Sequence, residues 1–169
     1  WNSYTTGDVY DQMGGVFATT SDVTGIVWAM HYYGIGPNAK YIISRGTAQK
    51  KWDYVGVATA IFAWSWLQLT DYHGEVILKD AFNTNLLTFK FDKEEDVYKY
   101  VRELCFKALE NLDKTGGGVS QQNLATGDAF FYNGDVNKWK KFVYAVPQAN
   151  KNTKKKKKKK IKILIVKIN

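Results

Sequence analysis

Side chains that could carry chemistry are few in this chain. The only histidines are His31 and His73, in different segments and without a second histidine four residues away, so neither reads as a metal ligand or a member of a catalytic triad. The single cysteine, Cys105, falls on the apolar face of a helix, the usual place of an inert buried thiol. Gly116-Gly117-Gly118 lacks the Lys-Ser/Thr that completes a phosphate loop, and it follows a helix, where the dipole repels anions. Glu94-Glu95-Asp96 opens a helix, where negative charge is favourable for structural reasons alone. No enzyme and no cofactor site is read from this set.

Aromatic residues are the exception. They make up 15% of the chain, with six Trp and eleven Tyr, more than a small core needs. Trp64 and Trp66, inside a long apolar helix, read as space-filling. Trp52, Tyr54, Tyr72 and His73 stand at the two ends of that helix and are the candidates for a ligand platform. Sugar rings present flat C–H faces that stack on aromatic rings, while Asn, Asp and Arg side chains bind the hydroxyls. These four are therefore read as the glycan-contacting residues.

The elements that must position them follow from periodicity and punctuation. Residues 1–21 read as an irregular segment. Ser21 or Asp22 could cap a helix running to about Tyr33, with Val23, Ile26, Val27 and Met30 at helical spacing. Gly34 and Gly36-Pro37 are expected to break it, and a second helix covers about 38–50. Residues 52–74 form a long helix, apolar nearly all round, ending at Gly74. Its run without charge or amide, from Tyr54 to Leu67, is too short for the roughly 20 residues of a membrane span, so a buried central helix is expected. Residues 75–91 are a long connection, of a length that suggests a loop with a task. Asp92 with Glu95 predicts a capping box for a helix whose apolar face is Val97, Val101, Leu104, Ala108 and Leu112. Residues 119–134 read as irregular, and Asp135 caps a last helix that Pro147 closes. The fold class is all-α, a helical array with long irregular connections.

Bulk charge is misleading here. The chain carries 24 basic and 16 acidic residues, net +8. Ten of the lysines lie in 151–169, KNTKKKKKKKIKILIVKIN, so residues 1–150 hold 14 basic against 16 acidic groups, a net charge of −2. A lysine run binds phosphate by counterion release, yet this one has no Arg, no aromatic and no Gln of the kind that nucleic-acid readers interleave with Lys. It reads as an A-rich stretch translated outside a true coding frame, or else as a disordered, solvated arm. No nucleic-acid partner is expected. Residues 1–150 are read as one domain.

Three segments in order carry a family resemblance. VGVATAIFAWSWLQLTDYHGEV resembles the aromatic-rich helix and exit turn of SusD/RagB-like proteins, the outer-membrane nutrient-binding lipoproteins of Bacteroidetes, with Asp71-Tyr72-His73-Gly74-Glu75-Val76 as the turn. Glu95-Asp96-Val97-Tyr98 with Leu112-Asp113 resembles the next helix. Asp128, then Tyr132-Asn133-Gly134-Asp135 and Lys138-Trp139-Lys140-Lys141-Phe142, resembles the third block. Ile77 stands where the family usually has Pro. The resemblance implies a tetratricopeptide-like α-helical scaffold and a binding role without catalysis: capture of an oligo- or polysaccharide, or of a peptide, and handover to a SusC-like TonB-dependent transporter. It implies a surface-exposed position at the outer membrane, through a lipid anchor outside this chain. Gly74, Asp135 and Trp139 look structural on this reading.

Overall fold

The structure, a computed structural model, describes residues 25–146. The irregular first segment, the Ser21/Asp22 cap, Pro147 and the lysine-rich tail lie outside the described residues. Among the described residues the fold is all-α. Helix α1 (Gly25–Ala29) runs through a π-helical turn, Met30–Ile35, into α2 (Gly36–Ala48). Then come α3 (Trp52–His73), α4 (Glu94–Asp113) and the short α5 (Gln121–Gly127). A last helix, α6, covers residues 136–146. Among the described residues one bridge, Val76 with Asp92, closes the base of the long connection.

α3 is the axis of the molecule. Its residues Val55, Ala58, Ala60, Phe62, Ala63, Trp66, Leu67 and Leu69 are buried, because α2 covers one side and α4 the other. No described helix is long and apolar enough to cross a membrane. α4 buries Val97, Val101, Leu104, Ala108 and Leu112, together with Cys105, the face its periodicity predicts. Gly74 ends α3 at φ 77°, a left-handed conformation that a side chain would strain, and its N–H returns to the Thr70 carbonyl at 2.8 Å.

Three sequence expectations are corrected. The break expected at Gly34 and Gly36-Pro37 does not occur. The helix instead widens by one residue, so that the Gly36 N–H reaches the His31 carbonyl five residues back, and Pro37, which has no N–H to offer, sits within the first turn of α2. Asp92 does not cap α4. The cap position is Lys93, with no side-chain bond, because the Asp92 carboxylate is turned into the preceding connection. Residues 119–134 are not wholly irregular. Ser120 caps α5 by accepting the Asn123 N–H, and Leu124 alone anchors that short helix in the core. The Asp135 cap is as expected: its carboxylate accepts the N–H of Asn137 at 2.9 Å and of Lys138 at 3.1 Å.

Candidate binding groove

The connection after α3 folds back across the α1–π–α2 helix and is tied there. The Asp92 carboxylate accepts the N–H of Leu78 and of Lys79, both at 2.9 Å, and pairs with the Lys79 ammonium at 3.1 Å. Burial alone would push this carboxyl up; the two N–H donors and the ammonium outweigh it and hold the group below the usual carboxylate range. Asp80 accepts the Lys90 N–H at 3.1 Å and narrows the loop a second time. Tyr32 donates its hydroxyl to the Ile77 carbonyl at 2.6 Å, joining helix to loop. That phenol is raised well above its ordinary value, chiefly by burial.

Between helix and loop lies a groove of about 370 Å³, within the range of roughly 300–1,000 Å³ typical of small-ligand clefts. Trp28 and Tyr33 form the helix wall; Phe82, Asn83, Thr84, Leu86 and Phe89 form the loop wall. Trp28 is held by Tyr32 at 4.7 Å between ring centroids and edge-on by His73 at 5.4 Å. Tyr33 is 81% exposed. No lining side chain is charged. The Asn83 carboxamide oxygen accepts the Asn85 N–H at 3.1 Å, which fixes the side chain in the loop wall. Flat apolar walls with a few neutral polar groups suit a ligand with apolar faces and hydroxyl edges.

Beneath the groove sits an aromatic cluster around His31, which is fully buried. Its ring lies 4.1 Å from Trp66, 4.9 Å from Tyr32, 5.8 Å from Phe82 and 5.9 Å from Phe62, and its Nδ1 is 2.7 Å from the Ser65 hydroxyl. Burial lowers this imidazole to about 4, so it is neutral at physiological pH and acts as a packing group. Burial also pushes the Cys105 thiol up to about 11, in keeping with an inert role. Among the described residues no cluster of His, Cys, Asp or Glu could hold a metal ion.

The four residues singled out from sequence fall into two pairs, separated by the length of α3, about 30 Å at 1.5 Å per residue. Tyr72 and His73 lie at the groove end: Tyr72 is 68% exposed, and His73 backs Trp28. Trp52 and Tyr54 lie at the other end. The Lys114 ammonium stands 4.6 Å over the Trp52 ring, and the Tyr54 hydroxyl donates to the Asn123 carbonyl at 2.6 Å. The loop-wall residues Phe82, Asn83, Thr84, Leu86 and Phe89 were not singled out from the sequence. The available signal was the long connection itself, whose AFNTNLLTFKF is too apolar for a plain linker.

The motif residues act as fasteners. The Tyr98 hydroxyl lies 2.7 Å from Asp71 and 2.8 Å from Glu94, tying α4 to the end of α3; burial, then these two carboxylates, raise it far above its ordinary value. Asp128, 5% exposed, accepts the Trp139 indole N–H at 2.7 Å and the Gly134 N–H at 3.0 Å, which locks α6 against the turn before it.

Residues 3–147 match the family model SusD-like_2, described as starch-binding associating with outer membrane. No curated protein and no solved structure matches the chain. The match spans most of the sequence, and the chain belongs to this family of non-catalytic carbohydrate-binding proteins.

Proposed function

We propose that this SusD-like protein captures a neutral polysaccharide of the starch class at the outer surface of the outer membrane and passes it to a SusC-like TonB-dependent transporter. The observation that carries the reading is the uncharged, aromatic-walled groove between the helix at Trp28–Tyr33 and the loop at Phe82–Phe89. Sugar rings stack between the two walls, and Asn83, Thr84 and the Tyr33 hydroxyl serve the ring hydroxyls. Tyr72 and His73 extend or support the groove at its α3 end. Trp52 and Tyr54, at the far end of α3, serve as a second contact for a polymer long enough to reach it.

Affinity electrophoresis of the full chain in gels containing amylopectin tests this. Amylopectin is neutral, so the lysines of 151–169 add no ionic attraction. Retardation is expected, with clear loss in Tyr33→Ala and Phe89→Ala, whose exposed rings leave the core intact. A helical protein that no neutral polysaccharide retards contradicts the reading.

One observation favours a second reading, a protein-docking scaffold that binds no sugar. Met30, Ala39, Ile42, Ala58 and Ile61 line another groove, of about 310 Å³, between the π-helical turn and α2 on one side and α3 on the other. On that reading the protein holds its membrane partner with equal strength in the presence and absence of polysaccharide.

A further inference from the structure

The loop wall of the groove has little to hold it. Residues 83–91 are all exposed, and between Lys79 and Phe91 only Ala81 and Phe82 pack on the core. Phe82 takes φ 62°, a left-handed conformation that few aromatic residues adopt, and the ring it thereby turns inward meets His31, Tyr32, Phe62 and Trp66 at centroid distances of 5.8–6.3 Å. The Lys40 ammonium stands 5.0 Å above the same ring. The seat of the ring is Gly36: a Cβ built there would fall into the ring edge, 2.6 Å from Phe82 Cε1, and 2.7 Å from the His31 carbonyl oxygen. Gly36 is buried and is not among the groove residues. Inside a continuous helical run glycine is less favourable than alanine by about 1 kcal/mol, and this close approach accounts for its use here.

We infer that Gly36 is a positioning residue for ligand binding: its missing side chain seats Phe82, and the seated Phe82 holds the loop wall facing Trp28 and Tyr33 before any ligand arrives. This rests on the groove being the ligand site, which makes Gly36 a determinant of affinity that touches no ligand. The π-helical turn serves the same end, since it turns Gly36 toward the loop and leaves the Gly36 N–H bonded to the His31 carbonyl.

Two readouts on the full-length chain separate this inference from the binding reading beneath it. Hydrogen exchange of the unliganded protein reports the loop directly through the Asn83 and Leu86 amides, bonded to the Asp80 and Asn83 carbonyls at 3.3 Å each. Gly36→Ala is expected to speed their exchange about tenfold or more while the α4 amides keep their protection. Amylopectin affinity is expected to fall in parallel. If Gly36→Ala does not fold, Phe82→Leu, which leaves Gly36 in place and shortens the plug, is measured in its stead by loop exchange alone, because Phe82 itself lines the groove. Loop exchange unchanged in the variant overturns the inference, and so does a loosened loop with undiminished amylopectin affinity. A wild-type chain that binds no amylopectin removes the affinity role assigned to Gly36, while the exchange result still decides whether Gly36 and Phe82 hold the loop.

Discussion

Acidification should weaken this fold through His31 in particular. In the folded chain the imidazole is lowered from 6.5 to about 4 by burial among Tyr32, Phe62, Trp66 and Phe82, with Ser65 as its polar neighbour. The unfolded chain takes up the proton first, so the contribution is intact above about pH 6.5 and is lost progressively as pH falls toward 4. At about 1.4 kcal/mol for each tenfold difference in proton affinity, the loss is about 2 kcal/mol by pH 5 and about 3 kcal/mol by pH 4. Urea unfolding followed by circular dichroism at pH 7, 6, 5 and 4 measures this, with His31→Phe as the reference that keeps an aromatic ring and removes the titration. Carboxylates such as Asp92 also lose stabilising contacts in acid, but they do so in both proteins and drop out of the difference. The wild type should lose stability faster than His31→Phe between pH 6.5 and 4. Parallel pH curves for the two proteins would refute the reasoning, because they would mean that His31 is protonated as easily inside the fold as outside it.

Trp139→Phe keeps the ring and removes the indole N–H on Asp128, and it should lower unfolding stability by about 1.5–3 kcal/mol in urea titrations, as for a buried bond to a charged group. Asp92→Asn loses the Lys79 ion pair and weakens the two N–H contacts at the loop base; trypsin should then cut after Lys90 sooner than in the wild type, while global stability falls by only about 1 kcal/mol. Cys105, with its thiol raised to about 11, should resist a thiol reagent at pH 8 in the folded protein and react fully in urea.

Much of the helical frame was legible in the sequence. The face of α4 could be read because its apolar residues recur at helical spacing among charges, and α3 because an apolar run of that length bounded by Gly74 fits little else. The turn at Met30–Ile35 was not legible, since a Gly-Ile-Gly-Pro string marks a helix stop as readily as a one-residue widening; the Phe82 ring that packs on Gly36 lies 46 positions downstream. Asp92 was misread for a related reason. A carboxylate accepts N–H groups ahead of it or behind it equally well, and the bridge to Val76 turns it backward. α5 escaped notice because one apolar residue, Leu124, shows no period. The aromatic candidates at the α3 ends were chosen by position along one helix. The groove is made by a loop returning across another, which no local pattern records.

The central claim is that the Trp28–Phe89 groove holds sugar rings. Calorimetric titration of the full chain with maltoheptaose, a soluble starch oligosaccharide, tests it most directly. A stacked ring face is roughly 50 Å², a fraction of the 150–250 Å² that an aromatic side chain can bury, and at about 25 cal/mol per Å² it contributes about 1.2 kcal/mol. Removing both rings in Tyr33→Ala/Phe89→Ala should therefore weaken binding roughly fiftyfold, with the helical circular dichroism spectrum unchanged. Equal affinity in the wild type and the double variant would place the sugar elsewhere and contradict the account.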